Sequence, residues 1–270
     1  MRTIYSSDHL RVFQSALFQT NATLLRGAHF QLLVDPNWLP EEIQFLRKRT
    51  AETRSRNLLL FTHSDYDHIL GYGAFPDWET IASRAFVDNP KAAEQVEQIL
   101  QFDDDYYIER DYKIVYPTID HAISGDGTTL ELDGETLHFF QAPGHNADGL
   151  LTLCARNRVL LAGDYGCAVE FPYLYHSLAD YRTTLDKIEA LLRENRFDVL
   201  VPGHGSVAES PQEVHHRLAE SRAYLDELEA HVRTGAPFDE ERLFRRYRFP
   251  RLMRRFHAAN VDLVRRELLK

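Results

Sequence analysis

The sequence predicts an α/β domain, and three observations carry that prediction. Apolar runs of three to five residues recur through the first two-thirds of the chain, the pattern of buried strands. Two later segments place apolar residues at helical spacing along a single stripe, so each should lie on a sheet. Five of the apolar runs are followed within five residues by His or Asp, three of them beside a glycine that lets the backbone turn sharply.

The strands read in order as Leu32 to Val34, Leu58 to Phe61, Leu137 to Phe140, Leu150 to Cys154, Val159 to Ala162 and Val199 to Val201. Asp133-Gly134, between Thr128 to Leu132 and Glu135 to Phe140, is a two-residue hairpin signal. Ser177 with Asp180 three residues on resembles a capping box, and Leu178, Tyr181, Leu185, Ile188 and Leu192 follow at helical spacing. Ser210, Pro211 and Glu213 supply a cap, a first-turn proline and an acid before Val214, Leu218, Leu225, Leu228 and Val232. After Gly235-Ala236-Pro237 the chain turns Arg-rich. We therefore expect a main domain over 1–234 and a helical C-terminal appendage over 235–270, too short to stabilise itself.

Composition limits the function classes. At 270 residues, 44% hydrophobic and 27% charged, the chain suits one large domain or two modest ones. Its net charge of −10 divides into −17 over the first 240 residues and +7 over the last 30, which disfavours a nucleic-acid or anionic-membrane binder. No apolar run is long enough to span a membrane and none opens the chain as a leader would, so a cytoplasmic protein is expected. Cys154 and Cys167 are too few for a disulfide framework and read as small packed side chains.

The chemistry stands at the strand ends. Asp35 follows the first run, and Thr62-His63-Ser64-Asp65-Tyr66-Asp67-His68 the second. Pro143-Gly144-His145, Gly163-Asp164 and Pro202-Gly203-His204-Gly205 follow three later ones. If these strands share one sheet, the side chains converge on one edge. Imidazole and carboxylate are ligands for Zn, Fe and Mn. Alternation along an extended loop would send His63, Asp65 and Asp67 to one side and His68 to the other, so that the loop touches two ions. The remaining histidines read as ordinary surface or core residues, with His176 set apart because the aromatic loop Phe171 to His176 could overhang a site.

These motifs, from about Asp35 to Gly205, resemble those of the metallo-β-lactamase-fold hydrolases: a Thr-His-x-His-x-Asp-His loop, then a Gly-His, a Gly-Asp and a Pro-Gly-His-Gly. The resemblance implies a four-layer αβ/βα sandwich with a dinuclear metal site at one edge. His63 and His145 then resemble ligands of the first metal, and Asp67, His68 and His204 of the second. Asp164 resembles the bridging carboxylate, and Asp35 the aspartate that orients the ligand loop from behind. Asp65 stands where the family usually has a histidine. It is a candidate ligand that reaches less far, and it shifts preference from zinc, the first expectation, toward iron or manganese.

Such a centre implies a hydrolase that uses hydroxide held by two divalent ions, with Asp67 and Asp164 as its catalytic carboxylates. The acidic body points to a small-molecule ester, thioester or lactone as substrate. Tyr165, Tyr175 and His176 are candidate pocket residues, with Tyr165 a weak proton donor. An iron-dependent oxidoreductase or dioxygenase, a phosphodiesterase, and a non-catalytic ligand-binding sensor are the alternatives. The seven arginines of Arg242 to Arg255 are expected to dock on the acidic body or on a second subunit, a homo-oligomer through the C-terminal helices.

Overall fold

In the computed structural model, which describes residues 1–51 and 56–268, the chain begins with four strands that pair in sequence. These are β1 (Arg2–Ser6), β2 (Leu10–Gln14), β3 (Asn21–Arg26) and β4 (Phe30–Val34), an antiparallel meander. Helix α1 (Pro40–Arg49) then crosses to β5 (Arg56–Leu60), which lies parallel to β4. The short helix α2 (Tyr66–Ile69) leads to β6 (Glu79–Ser83), and α3 (Arg84–Val87) and α4 (Ala92–Asp105) lead to β7 (His121–Ile123). Together β1 to β7 form a seven-stranded sheet in sequence order.

A second sheet takes the order β12-β11-β10-β9-β8. Its strands are β8 (Thr128–Leu132), β9 (Glu135–Gln141), β10 (Leu150–Cys154), β11 (Val159–Leu161) and, after helix α5 (Leu178–Arg193), β12 (Val199–Val201). The β8–β9 turn has Asp133 and Gly134 both at positive φ, as the Asp-Gly signal requires. Helices α6 (Pro211–Thr234), α7 (Glu240–Arg245) and α8 (Pro250–Leu268) complete the chain.

The central strands, β4 and β5 of the first sheet and β10 and β11 of the second, are largely apolar because both faces are covered. Leu32, Leu58 and Leu60 point between the sheets with Phe139, Leu150 and Leu161. Their neighbours Leu33 and Leu59 point outward beneath Ile43 and Leu46 of α1, while Leu151, Leu153 and Leu160 point outward beneath Leu185 and Ile188 of α5 and Leu218 and Leu225 of α6. The result is helix, sheet, sheet, helix: a four-layer αβ/βα sandwich with the C-terminal helices on the α5/α6 side.

Three expectations need correction. The strand ends that carry His and Asp do not belong to one sheet. Asp35 and the residue 62–68 segment leave β4 and β5 of the first, whereas His145, Asp164 and His204 leave β9, β11 and β12 of the second. Backbone bonds hold the two edges together: Asn21 N donates to Gly203 O at 2.7 Å, Gly205 N to Gln19 O at 3.0 Å and Leu150 N to Thr62 O at 2.8 Å. Next, the chain from Tyr66 turns as a helix instead of running extended, so strict alternation fails and Asp67 and His68 face the same way. Lastly, Ser177 caps α5 by accepting from Asp180 N, and the further caps come from Glu267 of α8, which accepts from Ser177 Oγ and Leu178 N.

Candidate metal centre

Each of four histidines is anchored through Nδ1, which leaves Nε2 facing a common space. His68 Nδ1 lies 2.9 Å from Asp35 Oδ2, His63 Nδ1 3.0 Å from Thr62 Oγ1, His145 Nδ1 2.7 Å from Tyr173 O and His204 Nδ1 3.0 Å from Phe18 O. Such anchors fix ring orientation and tautomer. Asp35 also accepts from Thr62 N at 2.9 Å and Thr62 Oγ1 at 2.6 Å, so one carboxylate sets the start of the 62–68 segment and the ring at its end.

The donors fall into two sets joined by Asp164. In the first, Asp65 Oδ2 lies 3.1 Å from His145 Nε2 and 3.6 Å from His63 Nε2, and Asn146 Nδ2 donates to Asp65 Oδ1 at 2.7 Å. The shorter aspartate therefore does reach the two imidazoles. In the second, Asp67 Oδ2 lies 3.5 Å from His204 Nε2 and 3.7 Å from His68 Nε2, with Thr20 Oγ1 donating to it at 3.4 Å. Asp164 Oδ2 stands 3.3 Å from both His145 Nε2 and His204 Nε2 and 3.8 Å from His63 Nε2, and its Oδ1 stands 3.5 Å from His68 Nε2. One carboxylate thus faces all four rings.

Burial makes this arrangement costly without a cation. His63 Nε2 and Asp164 Oδ1 are buried with no hydrogen-bond partner, and His68 Nε2 faces His204 Nε2 at 3.4 Å. Burial alone would raise the carboxyl groups, yet His204, His68, His63 and His145 hold Asp164 well below the usual carboxylate range, and hydrogen bonds from His145 and His63 do the same for Asp65. Conversely, burial pulls the imidazoles down, but the carboxylates outweigh it. His68 is pushed up to about 9 by Asp67, Asp164 and Asp35, and His145 to about 9 by Asp164 and Asp65. Nε2 lone pairs beside carboxylate oxygens fit divalent transition metals, and the residues present fit two ions.

Glycine makes the close approach at the centre. A Cβ on Gly203 would lie 2.1 Å from Asp164 Oδ1 and 2.9 Å from His68 Cε1. Of the candidate pocket residues, Tyr175 is half exposed with its ring edge-on to His145 at 5.4 Å, at the mouth of the site. His176 instead meets Asp180 at 3.2 Å on α5. Tyr165 must be reassigned. It is buried, its hydroxyl accepts from His145 N at 3.0 Å and lies 3.0 and 2.9 Å from Ala142 O and Pro143 O, and so it holds the turn carrying His145 instead of facing a substrate.

Sequence reading missed Thr20, Asn146, Tyr173 and Glu170, all placed at the donors. Asn146 adjoins the Gly144-His145 motif and could have been found there, and Tyr173 belongs to the aromatic loop already set apart; Thr20 lies far from any motif, and Glu170, six residues after Asp164, stands in no motif.

The sequence profile of the metallo-beta-lactamase superfamily matches residues 16–204. The chain is 28% identical over 199 residues to a beta-lactamase-like protein 2 homolog of Caenorhabditis elegans, a match covering 72% of this chain and 58% of that protein, so it spans less than two-thirds of that relative. Among solved structures, a metallo-beta-lactamase family protein from Thermus thermophilus is similar with a TM-score of 0.65 and 20% identity, over 97% of this chain and 94% of the other. The chemotaxis sensor ODP, solved as a peroxy diiron species, is similar with a TM-score of 0.56 and 15% identity, over 83% and 94%. With that profile spanning the metal-donor segments and the four-layer sandwich around them, the chain belongs to the metallo-β-lactamase superfamily.

Proposed function

We propose that the chain is a metal-dependent hydrolase of a small ester, thioester or lactone. The observation that carries this reading is the buried convergence of four imidazole Nε2 atoms and the Asp65, Asp67 and Asp164 carboxylates, including two polar atoms with no protein partner. His63, Asp65 and His145 would hold one divalent ion, Asp67, His68 and His204 the other, and Asp164 both. Bound there, two such ions supply water acidic enough to ionise near neutral pH and a Lewis acid for the substrate carbonyl.

The chain's residues do the remaining work. Asp67, steadied by Thr20, presents its carboxylate beside His204 and His68, where it can orient a water and take its proton. Tyr173 and Tyr175, 4.4 Å apart and both near His145, narrow the approach and offer aromatic surface to the acyl part of a substrate. The acidic body disfavours polyanionic substrates, which weighs against phosphodiester chemistry on nucleic acids.

One observation favours a second reading. Asp65 gives the first set an oxygen donor where histidine is usual in the family, and oxygen donors suit iron, the metal of the diiron sensor that shares the fold. Elemental analysis with a panel of ester, thioester, lactone and phosphodiester substrates separates the two. Two zinc or manganese ions per chain with carboxylic-ester turnover is the expected result. Iron with a visible absorption band and oxygen consumption would move the assignment to redox chemistry, and hydrolysis that survives chelation or the loss of both His68 and His204 would overturn the hydrolytic mechanism.

A further inference from the structure

Beyond the seven donors stands a carboxylate that no motif marks. Glu170 lies six residues after Asp164, and its carboxylate, an Asp164 oxygen and a His204 nitrogen all lie within 4.8 Å of one another. The approach is built in by the backbone. Gly205 has φ of +83°, and the place a Cβ would take there is only 3.0 Å from Cγ1 of Val169, so Val169 rests on the His204 turn and its neighbour Glu170 is delivered to that side of the centre.

Among the described residues no Lys or Arg side chain neutralises it, and the imidazole it faces, His204, is shared with Asp67 and Asp164. Arg217 and Arg246 line the same cavity as Glu170, but Arg217 binds Glu213 and the carbonyls of Gly166, Ser206 and Val207, and Arg246 binds Glu220. Among the described residues no Lys or Arg forms an ion pair with Glu170. Two carboxylates at this spacing repel unless a cation or a proton lies between them.

We propose that Glu170 is a donor to the second ion, the fourth carboxylate of the centre. This rests on the metal-binding part of the function proposed above. The second ion would then see three carboxylates, from Asp67, Asp164 and Glu170, and two imidazoles, from His68 and His204. Five donors exceed the four that tetrahedral zinc prefers, and the oxygen excess suits manganese or ferrous iron. Glu170 also lines a polar cavity of about 140 Å³ with Cys167, Ser221 and Tyr247, which has room for ordered water beside its carboxylate. The two sites are therefore unequal: a nitrogen-richer first site and an oxygen-rich second one.

The test compares metal-stripped wild type, Glu170→Gln and the cavity control Glu220→Gln by calorimetric titration with Mn²⁺ and with Zn²⁺, and by absorption of the Co²⁺ form. Glu170→Gln is expected to keep one equivalent and to lose Mn²⁺ affinity at the other by about tenfold or more, with a smaller loss for Zn²⁺. Its second Co²⁺ equivalent should absorb more strongly as the coordination number falls, while Glu220→Gln matches wild type. If the amide variant does not fold, Glu170→Asp, which keeps the charge on a shorter arm, is expected to show the same change in smaller measure. Affinities within about twofold of wild type at both equivalents, with an unchanged Co²⁺ spectrum, would overturn the assignment and leave Glu170 a protonated neighbour. A wild type that takes up two ions with Glu170→Gln unaltered removes this inference alone; a wild type that takes up none removes the metal-dependent reading as well.

Discussion

Asp164 draws four imidazoles toward one point, and Gly203 is the residue that lets it do so. The Gly203 backbone cannot retreat: its N–H donates to Gly163 O at 2.6 Å and its carbonyl accepts from Asn21 at 2.7 Å. Gly203→Ala must therefore displace Asp164 and His68, the nearest atoms to the new Cβ. We expect it to cost about 1–3 kcal/mol of stability and most of the bound metal while the fold persists, as chemical denaturation and elemental analysis of the purified variant will show. Asp35 acts one bond further out. Asp35→Asn keeps its shape but loses the charge that orients His68, and should weaken metal at the His68 side by about 10- to 100-fold, with little change in far-UV dichroism. Residues of this kind were legible in the sequence because a strand end is a fixed launching point, so His63, His145, Asp164 and His204 declare themselves by type and neighbour. Thr20, Tyr173 and Glu170 were not, because a hydroxyl, a carbonyl or a carboxylate supplied by an irregular loop leaves no periodicity behind.

At the level of elements, the C-terminal helix reaches the centre without touching a donor. The Asn260 side chain of α8 accepts from Leu174 N at 2.8 Å and donates to Pro172 O at 2.7 Å and Tyr224 Oη at 2.9 Å, while Phe256 stacks on Tyr173 at 4.0 Å. These contacts fix the aromatic loop whose Tyr173 carbonyl holds His145. Replacing Asn260 by Ala strands Leu174 N and Pro172 O, leaves the Tyr224 hydroxyl with His257 Nδ1 alone, and should cost about 1–3 kcal/mol. Because the loosened side chain is His145, the His63/Asp65/His145 set is expected to lose metal affinity more than the Asp67/His68/His204 set. Sequential loss of the two equivalents to a competing chelator measures this, and equal loss from both would sever the link between α8 and the site. The strands around the centre were readable as apolar runs because both their faces are covered. The first three strands of the opening meander and α4 were not, since β1 is mostly exposed, β2 and β3 mix apolar and polar residues, and α4 buries only Ile99 completely. The split of the motif strands between two sheets was also hidden, because adjacency across sheets is a tertiary fact.

For the molecule as a whole, the candidate donors are divided between its two halves: His63, Asp65, Asp67 and His68 leave the first sheet, and His145, Asp164 and His204 leave the second. Metal bound there clamps the sheets together and should stabilise the whole chain in proportion to its excess over the dissociation constant. At a hundredfold excess this is about 2.7 kcal/mol, or about 5–10 °C in Tm for a domain of this size. The pH dependence separates this clamp from an ordinary ion-pair network. In the stripped protein, His68 and His145 titrate near 9 against about 6.5 in the unfolded chain, so the folded state binds more protons between those values. Their contribution is complete below about pH 6.5 and is lost as pH rises through about 9, which makes the chelated protein less stable with rising pH. The metal-bound protein should instead stay nearly level, since its liganding histidines carry no proton to lose and the climb in affinity with pH offsets the loss seen without metal. Thermal melts from pH 6.5 to 9.5, with and without chelator, should therefore diverge as pH rises. Parallel curves would mean that the histidines pair only with carboxylates and that no metal links the two sheets.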